Sequence, residues 1–213
     1  MVFIPETSIL VSYSIACFVL FVTPGPDMSL FLSQTLSGGQ RAGVASVLGA
    51  SFGCLIHTIL AAAGLSALIA ASPAAFTVIK FVGAVYLGWL AFDIIRKGSS
   101  LNVDNQTRMN VSLARTFWMG VMINLSNPKI VLFFVTFLPQ FVSAKDQYVA
   151  GKLAFLGFYF VIFSVPLAVI MILCAEKVIQ SLKQNPRIMR VVDYVFAGVF
   201  GIFAVKILTS ENR

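Results

Sequence analysis

SYSIACFVLFVTPGPDMSLFL, residues 12–32, decides how this chain must be read. Up to Val22 it is apolar and uncharged, and beyond Asp27 it turns apolar again. Between the two lie Thr23, Pro24, Gly25 and Pro26. Each proline removes a backbone donor and clashes with the preceding turn, while glycine loosens the chain between them. In lipid the freed carbonyls need partners, so such a break survives only where protein or a watered cavity surrounds it. Asp27 follows the break directly, where a helix N-terminus favours negative charge. A carboxylate at mid-membrane costs about 2.5–3.5 kcal/mol on insertion scales, which makes Asp27 a functional candidate.

The rest of the chain also requires lipid as its solvent. Of 213 residues, 59% are hydrophobic and 11% charged, and the mean hydropathy is +0.93. Soluble domains run near half apolar and a quarter charged. Six apolar segments are each near the roughly 20 residues that cross a bilayer. They run from Ser8 to Leu32, Val44 to Ala70, Phe76 to Ile95, Phe117 to Leu138, Leu153 to Leu173 and Val191 to Leu208. The expected fold is an all-α polytopic membrane protein with six transmembrane helices in one transporter domain, residues 1–213. Pro5 and Glu6 precede the first run, with no Lys or Arg and no small-residue cleavage pattern after it, so that run reads as a permanent span.

Turns separate the segments at Ser37-Gly38-Gly39 and Ser72-Pro73, and Pro139 closes the fourth. The polar stretch from Arg96 to Thr116 divides halves at about 8–96 and 117–208, and Glu176 to Arg190 reads as a second basic loop. An odd number of spans per half inverts the second half relative to the first, an arrangement common in secondary transporters. Each half opens with a proline-broken helix. Lys80 and Asp93 are also spaced like Asp193 and Lys206, with signs exchanged.

Six spans place Arg41, Arg96, Lys97, Arg108, Arg115, Lys177, Lys183, Arg187 and Arg190 on one side. Only Lys145, Lys152, Lys206 and Arg213 fall on the other. The richer side is expected in the cytoplasm, with both termini outside. The net charge of +7 is thereby a matter of topology; it forms no basic stripe for nucleic acid.

The second broken helix carries Asn124, Asn127, Pro128 and Lys129. The two asparagines share a face at a spacing of three. Pro128 frees the carbonyl of Asn124. Lys129 sits too deep to snorkel and is expected to point inward. Asp27 and Lys129 then either pair statically or bind the two ends of a zwitterion.

Other residues carry less. His57, the one histidine, reads as a proton relay or as a hydrogen-bonded packing residue. Tyr86 either offers a hydroxyl to the cavity or anchors at a packed interface. Lys80 snorkels or gates, and Pro166 marks a kink. Gly49 and Gly53, and likewise Gly83 and Gly88, suit close helix contact. Cys17, Cys54 and Cys174 read as buried free thiols. A metal exporter needs clustered ligands and an intramembrane enzyme needs a nucleophile with its base; neither set is present, and no cofactor or metal is implied. A transporter of another small solute or cation, or a membrane scaffold, remains as the alternative.

At these motifs the chain resembles the lysine and threonine exporter family, in its homoserine/threonine-type branch. The resemblance rests on Pro24-Gly25-Pro26-Asp27-Met28, Ser37-Gly38-Gly39-Gln40-Arg41-Ala42-Gly43 and Lys80-Phe81-Val82-Gly83-Ala84-Val85-Tyr86-Leu87. It continues through Asn124-Leu125-Ser126-Asn127-Pro128-Lys129 and Phe137-Leu138-Pro139-Gln140-Phe141. It implies amino-acid efflux across the bacterial cytoplasmic membrane, driven by protons. Asp27-Met28, where the basic-amino-acid branch commonly has Gln-Asn, implies a neutral or small polar substrate such as threonine, homoserine or leucine. Lys129 and the half-helix N-termini would hold its carboxylate, and Asp27 its amino group or the coupled proton. A homodimer is compatible with all of this.

Overall fold

A computed structural model describes residues 4–98, 112–143 and 146–209. Most of the dividing stretch from Arg96 to Thr116 lies outside the described residues, as does Lys145. Every regular element described is helical. Helix α1 (Thr7–Val22) stops at the first proline break, where the Thr23 hydroxyl and N–H both return to the Val19 carbonyl at 2.7 and 3.1 Å. Gly25 then caps α2 (Pro26–Leu60) in an extended conformation, and Pro26 takes the first helical position, where a missing N–H costs nothing.

Helix α2 is not one rod. Gly39 has φ 78° and ψ 177°, a region open in practice only to glycine. A Cβ built on Gly43 would lie 2.1 Å from Thr35 Oγ1. In an unbroken helix eight residues span about 12 Å. The chain therefore folds back at the Ser37-Gly38-Gly39 turn expected from sequence, leaving a first arm before Gly39 and a second arm after it. The second arm passes through a π-helical turn (Ala61–Leu65) into α3 (Ser66–Ala71). Extended Ser72 ends α3, and α4 (Pro73–Lys97) follows.

Helix α5 (Leu113–Ser126) is capped by the Ser112 hydroxyl and ends at the second break. There α6 (Pro128–Leu132) begins, and a π-helical turn (Phe133–Phe137) and a 3-10 turn (Leu138–Phe141) extend it. The axis bends by 54° across the break. Helix α7 (Val149–Leu173) holds Pro166 without interruption. The supposed loop from Glu176 to Arg190 is instead mostly helical: α8 (Ala175–Gln184) leads into α9 (Pro186–Thr209). Ala175 and Ile179 are buried, with Val178 packed against the same cluster, and a helix brings those positions onto one face. Cys174 is exposed, contrary to expectation, because α7 ends there and the chain turns into α8; Cys17 and Cys54 are buried free thiols as expected.

Glycines set the helix contacts. A Cβ on Gly49 would meet Phe117 O at 2.0 Å, and one on Gly120 would meet Ser46 O at 2.4 Å. Gly49 thus lies level with the Phe117–Val121 turn and Gly53 one turn on beside Asn124, so the second arm of α2 and α5 run parallel with backbones almost touching. Gly83 meets Thr136 as closely, whereas Gly88 has only an ordinary contact with Ala204.

Three described stretches are long and apolar enough to cross a membrane: Pro26–Leu68, Val149–Leu173 and Arg187–Val205. The bent pair Leu113–Ser126 and Pro128–Phe141 makes a fourth when counted as one span. Helix α1 is apolar but shorter, at 16 residues. The chain is thus a helical membrane protein.

Candidate functional site between the broken helices

The two breaks meet. Asp27, in the first turn of α2, accepts hydrogen bonds at Oδ2 from Asn124 Nδ2 at 3.1 Å and Asn127 Nδ2 at 3.0 Å. The shared face expected for the two asparagines is what lets both amides reach one oxygen. Asp27 Oδ1 is buried and has no hydrogen-bond partner among the described residues. Asn127 also caps α6, its Oδ1 accepting from the Lys129 N–H at 3.1 Å. The Asn124 carbonyl that Pro128 frees accepts from the Asn127 N–H at 3.1 Å.

Lys129 points inward, as expected, but not onto Asp27. Its Nζ donates to Thr23 O at 2.7 Å and Leu20 O at 3.1 Å, the orphan carbonyls at the end of α1. An ammonium is favoured there by the helix dipole. Asp93–Lys97 and Asp146–Lys152 form ion pairs, whereas none joins Asp27 to Lys129. An ammonium has three donors, and two are engaged. Gly25 makes room: a Cβ there would sit 3.2 Å from Lys129 Nζ.

Asp27, Asn124 and Lys129 line one cavity of about 60 Å³. That holds roughly four waters. Its remaining walls are mostly apolar, including Leu20, Phe31, Val47, Phe160, Ala168 and Met171. Ser51, Cys54 and Ser164 are the other polar lining residues; Cys54 Sγ donates to Asn124 Oδ1 at 3.5 Å, and the Ser164 hydroxyl is spent on Val161 O at 3.3 Å.

Other expected residues fall elsewhere. His57 does not line the cavity. It is buried beside the Asn124 backbone, its ring stacked on Phe134 at 5.5 Å and its Nε2 without a hydrogen-bond partner among the described residues. Tyr86 is on α4, against Trp89 at 5.2 Å, and also does not line the cavity. Pro24 is buried in the first break; Pro26 and Pro128 are exposed at the starts of their helices. The Lys80 side chain lies outside those described. Gly53 makes the close helix contact expected of it, but its place at the site was not foreseen: a Cβ there would lie 2.6 Å from Asn124 Oδ1, so this glycine also admits the Asn124 side chain. Residue-type reasoning missed the α7 wall, whose signal was the helical spacing of Ser164, Ala168 and Met171. No group of three or more potential metal ligands occurs among the described residues.

Comparison with known proteins gives the same frame. A protein called only an uncharacterized membrane protein, from Vibrio cholerae serotype O1, is 35% identical over 132 residues, 62% of this chain and 64% of its own length. The homoserine/homoserine lactone efflux protein of Salmonella typhimurium strain LT2 is 26% identical over 201 residues, covering 94% of this chain and 96% of that protein. The leucine efflux protein of Enterobacter sp. strain 638 is 28% identical over 138 residues, 63% of this chain and 64% of its own. No solved structure matches. Residues 18–211 match the LysE type translocator family, and the chain belongs to that family of transporters rather than to any class of enzyme.

Proposed function

We propose that this protein exports a neutral amino acid from the bacterial cytoplasm, binding the zwitterion between its two broken helices. The observation that carries this reading is the unpartnered Asp27 Oδ1, buried in the cavity that Lys129 also lines. A free carboxylate oxygen suits an α-ammonium, and the third N–H of Lys129 suits an α-carboxylate. The names of the Salmonella and Enterobacter relatives support amino-acid efflux. The mostly apolar walls favour an aliphatic side chain: a hydroxyl left unpaired there costs about 1–3 kcal/mol, and Ser51 is one lining hydroxyl able to answer it. Asp27 takes up the coupled proton when the ammonium leaves, so that its charge does not cross the site alone.

The reading includes six crossings in two inverted halves. Support comes from the fold-back at Gly39, which divides a 43-residue apolar stretch into two arms, and from the proline break that opens each half. Helix α4 also packs on α9, the third long helix of one half on that of the other. Arg41 near the fold-back and Lys177 on α8 gather at one end, which supports a cytoplasmic face there and termini outside.

The test is efflux from bacterial cells preloaded by dipeptide feeding, with all released amino acids quantified. Wild type is expected to release leucine-like amino acids in preference to homoserine, and Asp27→Asn to lose pH-driven efflux at least roughly tenfold. Release equal to empty vector, with the protein present in the membrane, refutes amino-acid export. Full pH-driven efflux by Asp27→Asn refutes its role.

A further inference from the structure

The site is shut unequally on its two sides. Toward the fold-back, three helical segments leave the 60 Å³ cavity together and reach a second, larger one of about 710 Å³. On the first arm of α2, Phe31 lines the inner cavity and Thr35 the outer. On the second arm, Val47 lines the inner and Gln40 the outer; on α7, Met171 lines the inner and Ile172 the outer. A helical turn rises about 5.4 Å, so the wall is little more than one side chain thick on the first arm and α7. Gly43 closes that wall: a Cβ there would lie 2.1 Å from Thr35 Oγ1 and 3.3 Å from Ile172 Cγ1, so all three segments meet where the side chain is absent.

The opposite side is far thicker. From Phe160 the rings run on through Phe133 at 5.0 Å, Phe137 at 5.3 Å and Phe141 at 5.1 Å, with Tyr13 packed on both Phe133 and Phe141. Phe133 to Phe141 alone covers two turns, and the whole belongs to one buried cluster. Opening that side means parting several layers, whereas opening the other means parting one.

We propose that the 710 Å³ cavity is the vestibule through which the solute reaches the Asp27 site, and that Phe31, Val47, Met171 and Ile172 form its gate. Gln40, Glu176 and Lys177 line the vestibule and offer a neutral amide and both signs of charge to a zwitterion, while the Thr35 and Ser37 hydroxyls donate to Phe31 O and Ser33 O and are left as acceptors. The nature of the solute rests on the function proposed above; the gate does not.

Thiol labelling of the full-length protein tests it in membrane vesicles of both orientations. Native Cys174 is exposed and lines the vestibule, so the face from which it reacts with a charged, membrane-impermeant methanethiosulfonate marks the vestibule side. In a Cys54→Ala, Cys174→Ser background, which removes the native thiols of both cavities, Ser51→Cys reports on the inner cavity. It is expected to react roughly tenfold faster from the Cys174 face than from the other, as a more often open gate requires. Gly43→Ala is expected to wedge the gate and speed this further, and Thr35→Ala, which removes the clashing hydroxyl, to reverse the gain. If Gly43→Ala does not fold, Phe31→Ala serves as the thinned gate. Equal labelling from both faces, faster labelling from the opposite face, or none even with the wedge overturns the gate. A bulky maleimide on Cys174 is expected to block efflux, and unchanged efflux at full labelling overturns the route. Labelling needs no transport, so it stands or falls apart from the identity of the solute.

Discussion

Asp27 and Lys129 occupy one cavity without forming an ion pair, and the reason is local. Each faces the helix terminus that suits its charge: Asp27 sits in the first turn of α2, and Lys129 Nζ reaches the last carbonyls of α1. A direct pair would leave Leu20 O and Thr23 O unanswered in a buried site. Lys129→Met should therefore abolish transport and also lower stability, by about 1–3 kcal/mol for the stranded carbonyls. Thermal unfolding in detergent measures this; an unchanged Tm contradicts a bracing role. Asn124 and Asn127 place two neutral donors on Asp27 Oδ2, which leaves Oδ1 buried and without a hydrogen-bond partner among the described residues.

At the scale of elements, turns and caps decide where helices stop. Gly39 is the clearest case, because a side chain at φ 78° and ψ 177° is strained whatever space surrounds it. Gly39→Ala is expected to destabilise by about 1–3 kcal/mol, read as a lower Tm with the helical circular dichroism largely kept. At the start of α7, Lys152 in its first turn hydrogen-bonds the side chain of Asp146 ahead of the helix, and the Tyr148 N–H reaches Asp146 Oδ1 at 3.0 Å. These hold its carboxyl below the usual range, the Lys152 contact foremost. Because the folded value is depressed, the contribution is present above the unfolded value of about 3.9 and is lost as pH falls through the lower folded value. The protection factor of the Tyr148 amide, the free-chain exchange rate divided by its own at the same pH, should therefore fall on acidification below about pH 4, and Asp146→Asn should remove that dependence.

For the whole molecule, the parallel contact of the second arm of α2 with α5 joins the two halves and brings the breaks together. Gly49 and Gly120 allow it by letting the backbones touch, and Gly53 by making room for the Asn124 side chain. If the halves are inverted and six spans are crossed, both termini share the outer face. A phosphatase reporter fused after Thr209 should be active there, and a fluorescent reporter inserted near residue 105 should light up inside. The reverse pattern overturns the topology.

Much of the candidate site is legible in the amino-acid sequence. Prolines at 24, 26 and 128 must break helices, and charged residues beside buried breaks must find polar company, so Asp27, Asn124, Asn127 and Lys129 stood out by chemistry alone. The fold-back at Gly39 and the close glycine contacts were equally local. His57 and Tyr86 were not separable from the site by type, because a lone polar side chain in an apolar helix looks the same wherever the helix turns it. Helix α8 was hidden under its charges, although Ala175, Val178 and Ile179 carried the helical spacing. Amino-acid order determined where the chain breaks, turns and enters lipid, because those follow from missing donors, torsional freedom and hydration. Tertiary structure decided that Lys129 answers α1 instead of Asp27, that Asp27 keeps one oxygen free, and that one side of the cavity is thin, because each depends on which helices meet.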